Sequence, residues 1–123
     1  EFQELIATPL VDSYLVTPED LVPTKEMEGQ YTVWTCFPYE DTRLVEIYRI
    51  DIEPGGTYVS GGHGEITREY LVVTDGVMTV ECNGKEHEIH LKQAFRFETD
   101  QTHIYRNRGT EKTSCMCFFL DYH

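Results

Sequence analysis

Two short segments of this chain carry the residue types that metal or ligand chemistry needs. The first covers residues 62–69, G-H-G-E-I-T-R-E, and leads into an apolar stretch that ends at Gly76. The second covers residues 102–107, T-H-I-Y-R-N. Each segment supplies one imidazole, from His63 and His103, and the first also supplies a carboxylate. Two imidazoles and one carboxylate are what an open metal site, or a pocket for a small acidic ligand, requires.

The size and composition indicate one globular domain. The chain has 123 residues, of which 40% are hydrophobic, enough for a single core and too many for wholesale disorder. No apolar run approaches the roughly 20 residues that a membrane-spanning helix needs, and no signal-peptide pattern opens the chain. We therefore expect a cytoplasmic protein that does not bind membranes.

The charge balance restricts the partners that we expect. The formal net charge is −12, from 22 acidic and 10 basic residues. Affinity for nucleic acid comes mainly from lysine and arginine side chains that displace counterions from the phosphate backbone. This chain is therefore not expected to bind DNA by itself, and a solvated surface explains most of its acidity.

Alternation of apolar and polar residues predicts an all-β fold from residue 31 onward. The run from Leu44 to Ile52 alternates well and places Glu46, Tyr48 and Ile50 on one face. Between two later runs, Asn83-Gly84 is the strongest hairpin signal in the chain. The predicted strands cover residues 31–37, 44–52, 70–74, 77–82, 86–91, 94–97, 103–106 and 113–122. Short strands at this spacing indicate a β-sandwich or barrel.

The first 30 residues are less regular. We expect residues 1–30 to form an irregular N-terminal arm of short strands and turns, packed on a barrel formed by residues 31–123. Within the arm, Thr17 predicts an N-cap and Pro18 the first position of a one-turn helix. Because the chain begins at Glu1 without methionine, we expect a domain cut from a longer protein or a chain without its natural start.

The spacing within the two segments resembles the cupin superfamily. Six residues separate Glu69 from Gly76, His63 lies six residues before Glu69, and Asn107 follows His103 by four. The first cupin motif carries a histidine pair, a glutamate and a glycine, and the second carries a histidine followed by an asparagine. The resemblance covers most of the chain and implies the cupin double-stranded β-helix, which is a jelly-roll barrel.

A narrower resemblance is to the C-terminal cupin of bacterial regulators that carry an XRE-type helix-turn-helix. It rests on residues 37–39, 45–50, 54–55, His63, 68–70, 95–97 and 103–107. In those regulators the helix-turn-helix binds DNA and the cupin is taken to sense a small molecule. This chain departs from the general cupin pattern at Glu65, where an enzyme has its second histidine, and at Lys92, where the second motif begins with glycine.

The resemblance implies a ligand set. On the cupin template, His63, Glu69 and His103 point into the barrel, with Glu65 as a candidate fourth ligand. Such a set with open coordination positions suits one divalent transition metal, namely zinc, manganese, iron or nickel. A second interpretation stays open, in which the three residues form a hydrogen-bonded polar cluster at the mouth of the pocket.

Aromatic residues are the other candidates for the pocket. Tyr48 and Tyr105 complete the predicted ligand-binding set with the two histidines and Glu69, and Trp34 and Phe97 are further candidates for its lining. Plain core packing is the competing explanation for each ring. An arginine pointing into the barrel mouth would favour a carboxylate or sulfonate ligand.

The remaining histidines and the cysteines are expected to be structural. His87 and His90 lie on opposite faces of one predicted strand, where surface positions are the more common outcome. Of the four cysteines, Cys115 and Cys117 share one strand face, and their spacing lacks a zinc-ribbon pattern. We interpret them as packing thiols.

Three functions follow from these observations. The first is a ligand-sensing cupin of a transcriptional regulator, which binds a small-molecule effector, forms a homodimer and reaches DNA only through a helix-turn-helix that this chain lacks. The second is a small metal-dependent enzyme, a dioxygenase or isomerase, that uses His63, Glu69 and His103. The third is a barrel whose only role is dimerisation. No catalytic residue is predicted outside the second of these.

Overall fold

The computed structural model describes residues 13–38, 45–61, 67–98 and 102–121. Ten β-strands and one turn of 3₁₀ helix, Pro18–Asp20, form the regular structure of these residues, which include no α-helix. The strands are β1 (Pro23–Met27), β2 (Tyr31–Phe37), β3 (Val45–Ile52), β4 (Thr57–Ser60), β5 (Thr67–Asp75), β6 (Met78–Cys82), β7 (Lys85–Ile89), β8 (Ala94–Glu98), β9 (His103–Arg106) and β10 (Thr113–Asp121). Over the described ranges, no helix has the length and apolarity needed to cross a membrane.

The strands form two antiparallel sheets. The larger has six strands in the order β1-β2-β3-β10-β5-β8, and the smaller has four in the order β4-β9-β6-β7. From β3 onward, successive strands alternate between the sheets, except for the hairpin that joins β6 to β7. This connectivity is that of a jelly-roll barrel, so the predicted fold class is confirmed.

Side chains on the inward faces of the strands fill the space between the sheets. In β3, Ile50 and Ile52 are buried, whereas Val45 at its start is exposed. Ile50 lies on the face that the sequence groups with Glu46 and Tyr48. The core between the sheets consists mainly of aliphatic and aromatic side chains, among them Val33, Ile50, Ile52, Leu71, Val73, Met78, Val80, Ile89, Phe97 and Tyr105.

At two turns the backbone geometry restricts which residues fit. Asn83 and Gly84 have φ angles of 53° and 74°. The two-residue hairpin turn that matches strand twist needs positive φ at both positions, and this pair adopts it readily. At Gly56 the constraint is space, because a Cβ would lie 2.4 Å from the carbonyl oxygen of Gln30.

Lys92 adopts the left-handed backbone conformation, with a φ of 69°. Its backbone N–H donates to the carbonyl of Val73 at 2.8 Å, which fixes the turn between β7 and β8. Left-handed backbone is unfavourable for a side chain with a Cβ. The replacement of the expected glycine by lysine therefore leaves the turn in place at an energetic cost.

The arm is partly regular within the described residues. The 3₁₀ turn begins at Pro18 after Thr17, as predicted, and the Asp20 carboxylate accepts hydrogen bonds from the backbone N–H and the hydroxyl of Thr17. After this turn, β1 pairs with β2 and forms one edge of the six-stranded sheet.

The sequence analysis expects short strands in the arm but gives them no bounds, and it locates neither β1 nor β4. All residues of β1 are exposed, so the sequence lacks the alternation that marks a half-buried strand. Strand β4 is only four residues long and follows the Gly55-Gly56 turn closely. The other predicted strands are present with boundaries shifted by a few residues, and the positions predicted at 44 and 122 lie outside the described residues.

Candidate functional site

A cavity of about 460 Å³ lies at one end of the barrel. Strands of both sheets contribute to its wall, together with the edge strand β1. Its described lining is part apolar and part polar, and consists of Thr24, Lys25, Val33, Thr35, Pro38, Glu46, Tyr48, Ile50, Tyr58, Ser60, Glu69, Tyr105 and Phe119. A concave site with apolar walls and a few placed polar groups is typical of small-molecule binding.

Two carboxylates flank one phenyl ring in this lining. Phe119 of β10 is paired in register with Glu46 of β3 on one side and with Glu69 of β5 on the other. Neighbouring strands lie about 4.8 Å apart, so the Cα atoms of the two glutamates are about 10 Å apart. The sheet register therefore places both acids in one row across the cavity wall.

Glu69 is buried, with 4% of its surface exposed. The hydroxyl of Tyr105 and the thiol of Cys117 both donate hydrogen bonds to its carboxylate. Burial penalises the charged form more than these bonds favour it, and raises the pKa of Glu69 to about 7. Burial, followed by the charge of Glu69, raises the pKa of Tyr105 well above its ordinary value, so the phenol remains a proton donor.

His103 lies behind Glu69. Its side chain is 1% exposed, and its Nε2 is 3.8 Å from the Oε1 of Glu69. The ring packs edge-on against Phe97 and Tyr105, at centroid distances of 5.0 and 5.5 Å. The structure therefore brings together the imidazole and the carboxylate that the sequence singled out from two distant segments.

Two of the predicted metal ligands lie within the described residues. Glu69 and His103 are neighbouring donors of the kinds that zinc, manganese and iron accept. The other predicted ligand, His63, and the candidate fourth ligand, Glu65, lie outside the described residues. Among the residues that are described, no group of three histidine, cysteine or acidic side chains is arranged to hold an ion.

Tyrosines form one wall of the cavity. Tyr58 stacks on Tyr105 with a centroid distance of 5.5 Å and an interplanar angle of 15°, and Tyr31 packs on Tyr58 at 4.5 Å. On β3 of the large sheet, the Tyr48 hydroxyl donates to Glu46 at 2.5 Å. Of the aromatic candidates, the structure thus places Tyr48 and Tyr105 in the lining.

The other two aromatic candidates lie elsewhere. Trp34 packs beneath the Arg49 guanidinium, 4.8 Å from the ring, away from the described lining. Phe97 is buried in the core against Phe95 and His103. Packing therefore accounts for both rings.

The described cation in the cavity lining is a lysine. Lys25 of β1 places its ammonium 6.0 Å from the centre of the Tyr58 ring. Among the described arginines, four instead pair with carboxylates outside the cavity, namely Arg49 with Asp51, Arg68 with Glu98, Arg106 with Glu81 and Arg108 with Glu86. The described part of the chain therefore gives no inward arginine that would favour a carboxylate or sulfonate ligand.

Asn107, the last residue of the second segment, lies outside the described lining of the cavity and makes structural hydrogen bonds. Its side-chain amide donates to the carbonyls of Ile52 at 2.9 Å and Glu111 at 2.7 Å. Its Oδ1 accepts from the backbone N–H of Gly109 at 2.9 Å. One buried side chain thereby joins β3 to the loop that precedes β10.

The remaining histidines and thiols lie where structural residues are expected. His87 packs on Phe95, and His90 is exposed and pairs with Glu88. Cys115 and Cys117 are buried on the same face, with their sulfur atoms 3.6 Å apart.

Several lining residues were missed by the sequence analysis. Glu46 carried a usable signal, because alternation placed it on the same face as Tyr48. Thr24 and Lys25 carried none, since they belong to the exposed strand β1 that was assigned to the arm.

Comparison with known proteins identifies relatives that match most of the chain. The model of one family, Cupin_2 (cupin domain), matches residues 48–119. The HTH-type transcriptional regulator SutR of Escherichia coli (strain K12) is 26% identical over 101 residues, which cover 80% of this chain and 57% of SutR.

Solved structures of transcriptional regulators are also similar to this chain. An HTH_3 family transcriptional regulator from Vibrio cholerae is 28% identical with a TM-score of 0.70, over 76% of this chain and 52% of that one. The Cupin_2 domain of an XRE family transcriptional regulator from Enterobacter cloacae has a TM-score of 0.72 at 24% identity, over 76% of this chain and 98% of that domain. Structures whose names describe enzymes share the fold alone, at 14 to 20% identity. The chain spans about half the length of the two longer regulators that it matches.

Proposed function

The chain belongs to the cupin family, and we propose that it is the small-molecule-sensing domain of a transcriptional regulator. The observation that carries this proposal is the match to regulators over 80% of this chain but only 57% of SutR. A sensor domain joined to a DNA-binding domain accounts for that difference in length.

The cavity supports the sensing role. Its volume of about 460 Å³ suits a small metabolite, and its polar groups lie on rigid strands of both sheets. A ligand that contacts both sheets stabilises one arrangement of the barrel over others, and a change of that kind can alter the placement of attached domains.

DNA contact is assigned to a helix-turn-helix outside the described residues. Those residues contain no α-helix, and the whole chain carries a net charge of −12. Both facts argue against DNA binding by the barrel itself. The regulator would act in the cytoplasm, where it meets DNA.

We also propose that two copies pair. Helix-turn-helix proteins commonly read two half-sites as dimers, and a paired sensor domain would set the spacing of the two DNA-binding domains. Light scattering coupled to size exclusion is expected to give twice the mass of one chain. A monomer at micromolar concentration would contradict the pairing.

The test of sensing starts from the ligand. This chain is purified and then denatured. The small molecules that it releases are identified by mass spectrometry. Each is then added to the protein of the complete reading frame in a DNA-binding assay, where the ligand is expected to change the affinity for DNA. A reading frame without a helix-turn-helix, or a DNA affinity that no bound compound changes, would contradict the proposal.

A matched pair of variants tests whether the ligand changes the DNA affinity by binding in the cavity. Ser60→Phe fills part of the lining, whereas Thr110→Phe adds the same ring at an exposed loop position. The first is expected to abolish ligand release and the DNA response, and the second to leave both unchanged. Circular dichroism confirms that each variant is folded.

The second candidate is a metal-dependent cupin enzyme, a dioxygenase or isomerase. The observation that favours it is the contact between Glu69 and His103, which with His63 would hold a zinc, manganese, iron or nickel ion. A bound ion would supply a Lewis acid, while the tyrosine wall and Glu46 would orient a substrate beside it. The metal measurement that separates this candidate from the first is given in the Discussion.

A further inference from the structure

The outward-facing side chains of the large sheet are mainly apolar along its central strands. Residues paired in register share a face of the sheet, as do residues two apart along a strand. Ile50, Cys115 and Cys117 point into the core, so their neighbours along β3 and β10 point outward. The described apolar residues of this outer face are Trp34, Ile47, Val72, Met116, Phe118 and Leu120.

The central strand β10 is apolar on both faces. Cys117 and Phe119 point inward and are buried. Met116, Phe118 and Leu120 point outward and are half-buried. An antiparallel strand with one face in water normally alternates apolar and polar residues, whereas a strand covered on both faces is apolar throughout. Strand β10 therefore has the pattern of a strand that is covered on both faces.

Packing inside the barrel does not account for this outer face. Among the described residues, the partly buried hydrophobic side chains that pack on the core are Tyr31, Tyr48 and Phe95. The six outer residues named above are not in that set. A contiguous apolar surface outside the core of a globular domain marks a site of interaction with another protein.

The charges of this face differ from those of the whole chain, whose net charge is −12. By register, three arginines and four acids of the described strands lie on the outer face, so its charges nearly balance. Two copies can therefore meet here without the repulsion expected between strongly acidic surfaces, and the face offers little attraction to a basic partner. The arginines are Arg49, Arg68 and Arg96, and the acids are Glu26, Asp51, Asp75 and Glu98.

Trp34 and Arg49 form a stacked pair on this face, with the guanidinium 4.8 Å from the centre of the ring. Two hydrogen bonds of 3.1 Å to the buried carboxylate of Asp51 hold the guanidinium in place. Tryptophan and arginine are enriched among the residues that dominate binding at protein interfaces. Because this pair is already ordered, its immobilisation costs little when a partner binds.

The apolar part of the face is large enough for a stable pair. It spans four neighbouring strands, β2, β3, β10 and β5, of which β3 has eight residues. At a strand spacing of about 4.8 Å and a rise of about 3.3 Å per residue, it covers roughly 500 Å². Two such faces together bury about 1,000 Å², the lower bound for a specific interface, and the polar rim adds to this area.

From these observations we propose that the outer face of the large sheet binds the same face of a second copy of the chain. The two sheets pack face to face around a two-fold axis, with Ile47 and Phe118 near the centre. This inference rests on the pairing proposed above and assigns it a surface. Phe119 lines the cavity and its neighbour Phe118 lies on this face, so one strand connects the cavity to the interface.

A matched pair of substitutions tests the surface. Val72→Glu places a carboxylate on the outer face of β5, whereas Val59→Glu places one on β4 of the small sheet, where Val59 is 57% exposed. Analytical ultracentrifugation of the chain over a range of concentrations measures the dissociation constant of the pair. Val72→Glu is expected to raise it about a hundredfold or more, because the two-fold axis buries the new charge twice. Val59→Glu is expected to leave it unchanged.

A milder variant guards against loss of the fold. Met116→Gln keeps the length of the side chain and adds an amide to the face, so it is expected to raise the dissociation constant about tenfold. Far-UV circular dichroism confirms that each variant is folded.

Trp34 supplies a second readout, since it is the one tryptophan of the chain. When the parent chain is diluted, its emission is expected to shift to longer wavelength as the copies separate and water reaches the ring. In Val72→Glu the emission is expected not to change with concentration. Pairing of the parent chain without a change in this emission would place the interface elsewhere.

The outcomes separate the surface from the pairing and from sensing. If Val72→Glu and Met116→Gln pair as tightly as the parent chain, the surface is wrong and the pairing stands. If Val72→Glu stays paired but unfolds more easily than Val59→Glu, a segment of the same chain covers this face, and the surface is again wrong. If the parent chain is monomeric at every concentration, both the pairing and the surface are wrong, and the released-ligand experiment decides independently on sensing.

Discussion

Tyr105 and Glu69 lie on facing sheets and share a hydrogen bond across the barrel interior, with the phenol as donor. Both side chains are buried. The bond joins β9 to β5 in the lining of the cavity. Glu69, whose pKa is raised, therefore lies where a ligand or an ion would make contact.

The stability of the metal-free protein is expected to fall as the pH rises from about 4.5 to about 7. The folded pKa of Glu69 is about 7 and its ordinary value is 4.5. Between these values the folded state retains a proton that the unfolded state has released, so the stabilisation is complete below 4.5 and lost above 7. The expected loss is roughly 3 kcal/mol. Urea unfolding across this range in EDTA measures it.

Glu69→Gln is the control for this pH effect. The amide does not titrate, so the variant is expected to lose the part of the pH dependence that Glu69 causes. An identical pH slope in the variant and the parent chain would show that Glu69 is not the responsible group.

Asn107→Ala is expected to destabilise the fold by about 2–4 kcal/mol. The substitution removes three hydrogen bonds, to Ile52, Glu111 and Gly109, and leaves buried backbone groups without those partners. Urea unfolding at constant pH measures the change. Asn107→Asp retains the acceptor for Gly109 but loses both donated bonds, so it is expected to be no better than alanine. A loss below 1 kcal/mol for alanine would contradict this role.

Lys92→Gly is expected to stabilise the protein by roughly 0.5–1 kcal/mol, because glycine adopts a φ of 69° without strain. Thermal unfolding measures the gain. Lys92→Ala removes the same side chain and keeps the Cβ, so it is expected to give no gain. If alanine stabilises as much as glycine, the backbone conformation is not the cause.

The metal-dependent candidate predicts that an ion binds at Glu69 and His103. After incubation with zinc, manganese, iron(II) or nickel salts and dialysis, elemental analysis is expected to give about one equivalent in the parent chain. Glu69→Gln and His103→Ala are each expected to lose it. His90→Ala, at an exposed histidine, is the matched control. Less than about a tenth of an equivalent in the parent chain would favour the hydrogen-bonded cluster and contradict the metal-dependent enzyme.

The sequence predicted the barrel well because its strands are half-buried. Alternation in β3 and the Asn83-Gly84 turn both correspond to what the structure shows. Strand β1 escaped prediction because exposure of all its residues removes alternation, and only its pairing with β2 defines it.

The site was predicted less completely. The resemblance to the cupin motifs singled out Glu69 and His103, which do lie together although β5 and β9 belong to facing sheets. The presence of Lys25 in the lining depends on where an edge strand crosses the cavity. Local sequence does not encode that placement, since it follows from long-range packing.

The central position of β10 has a consequence for how the protein is made. This strand comes last among the described strands, yet it lies between β3 and β5 and pairs with both. During synthesis, β3 and β5 emerge long before the strand that joins them, and each exposes an unpaired edge until then. The large sheet therefore cannot close until β10 has been made, and a nascent chain is most prone to aggregation in that interval.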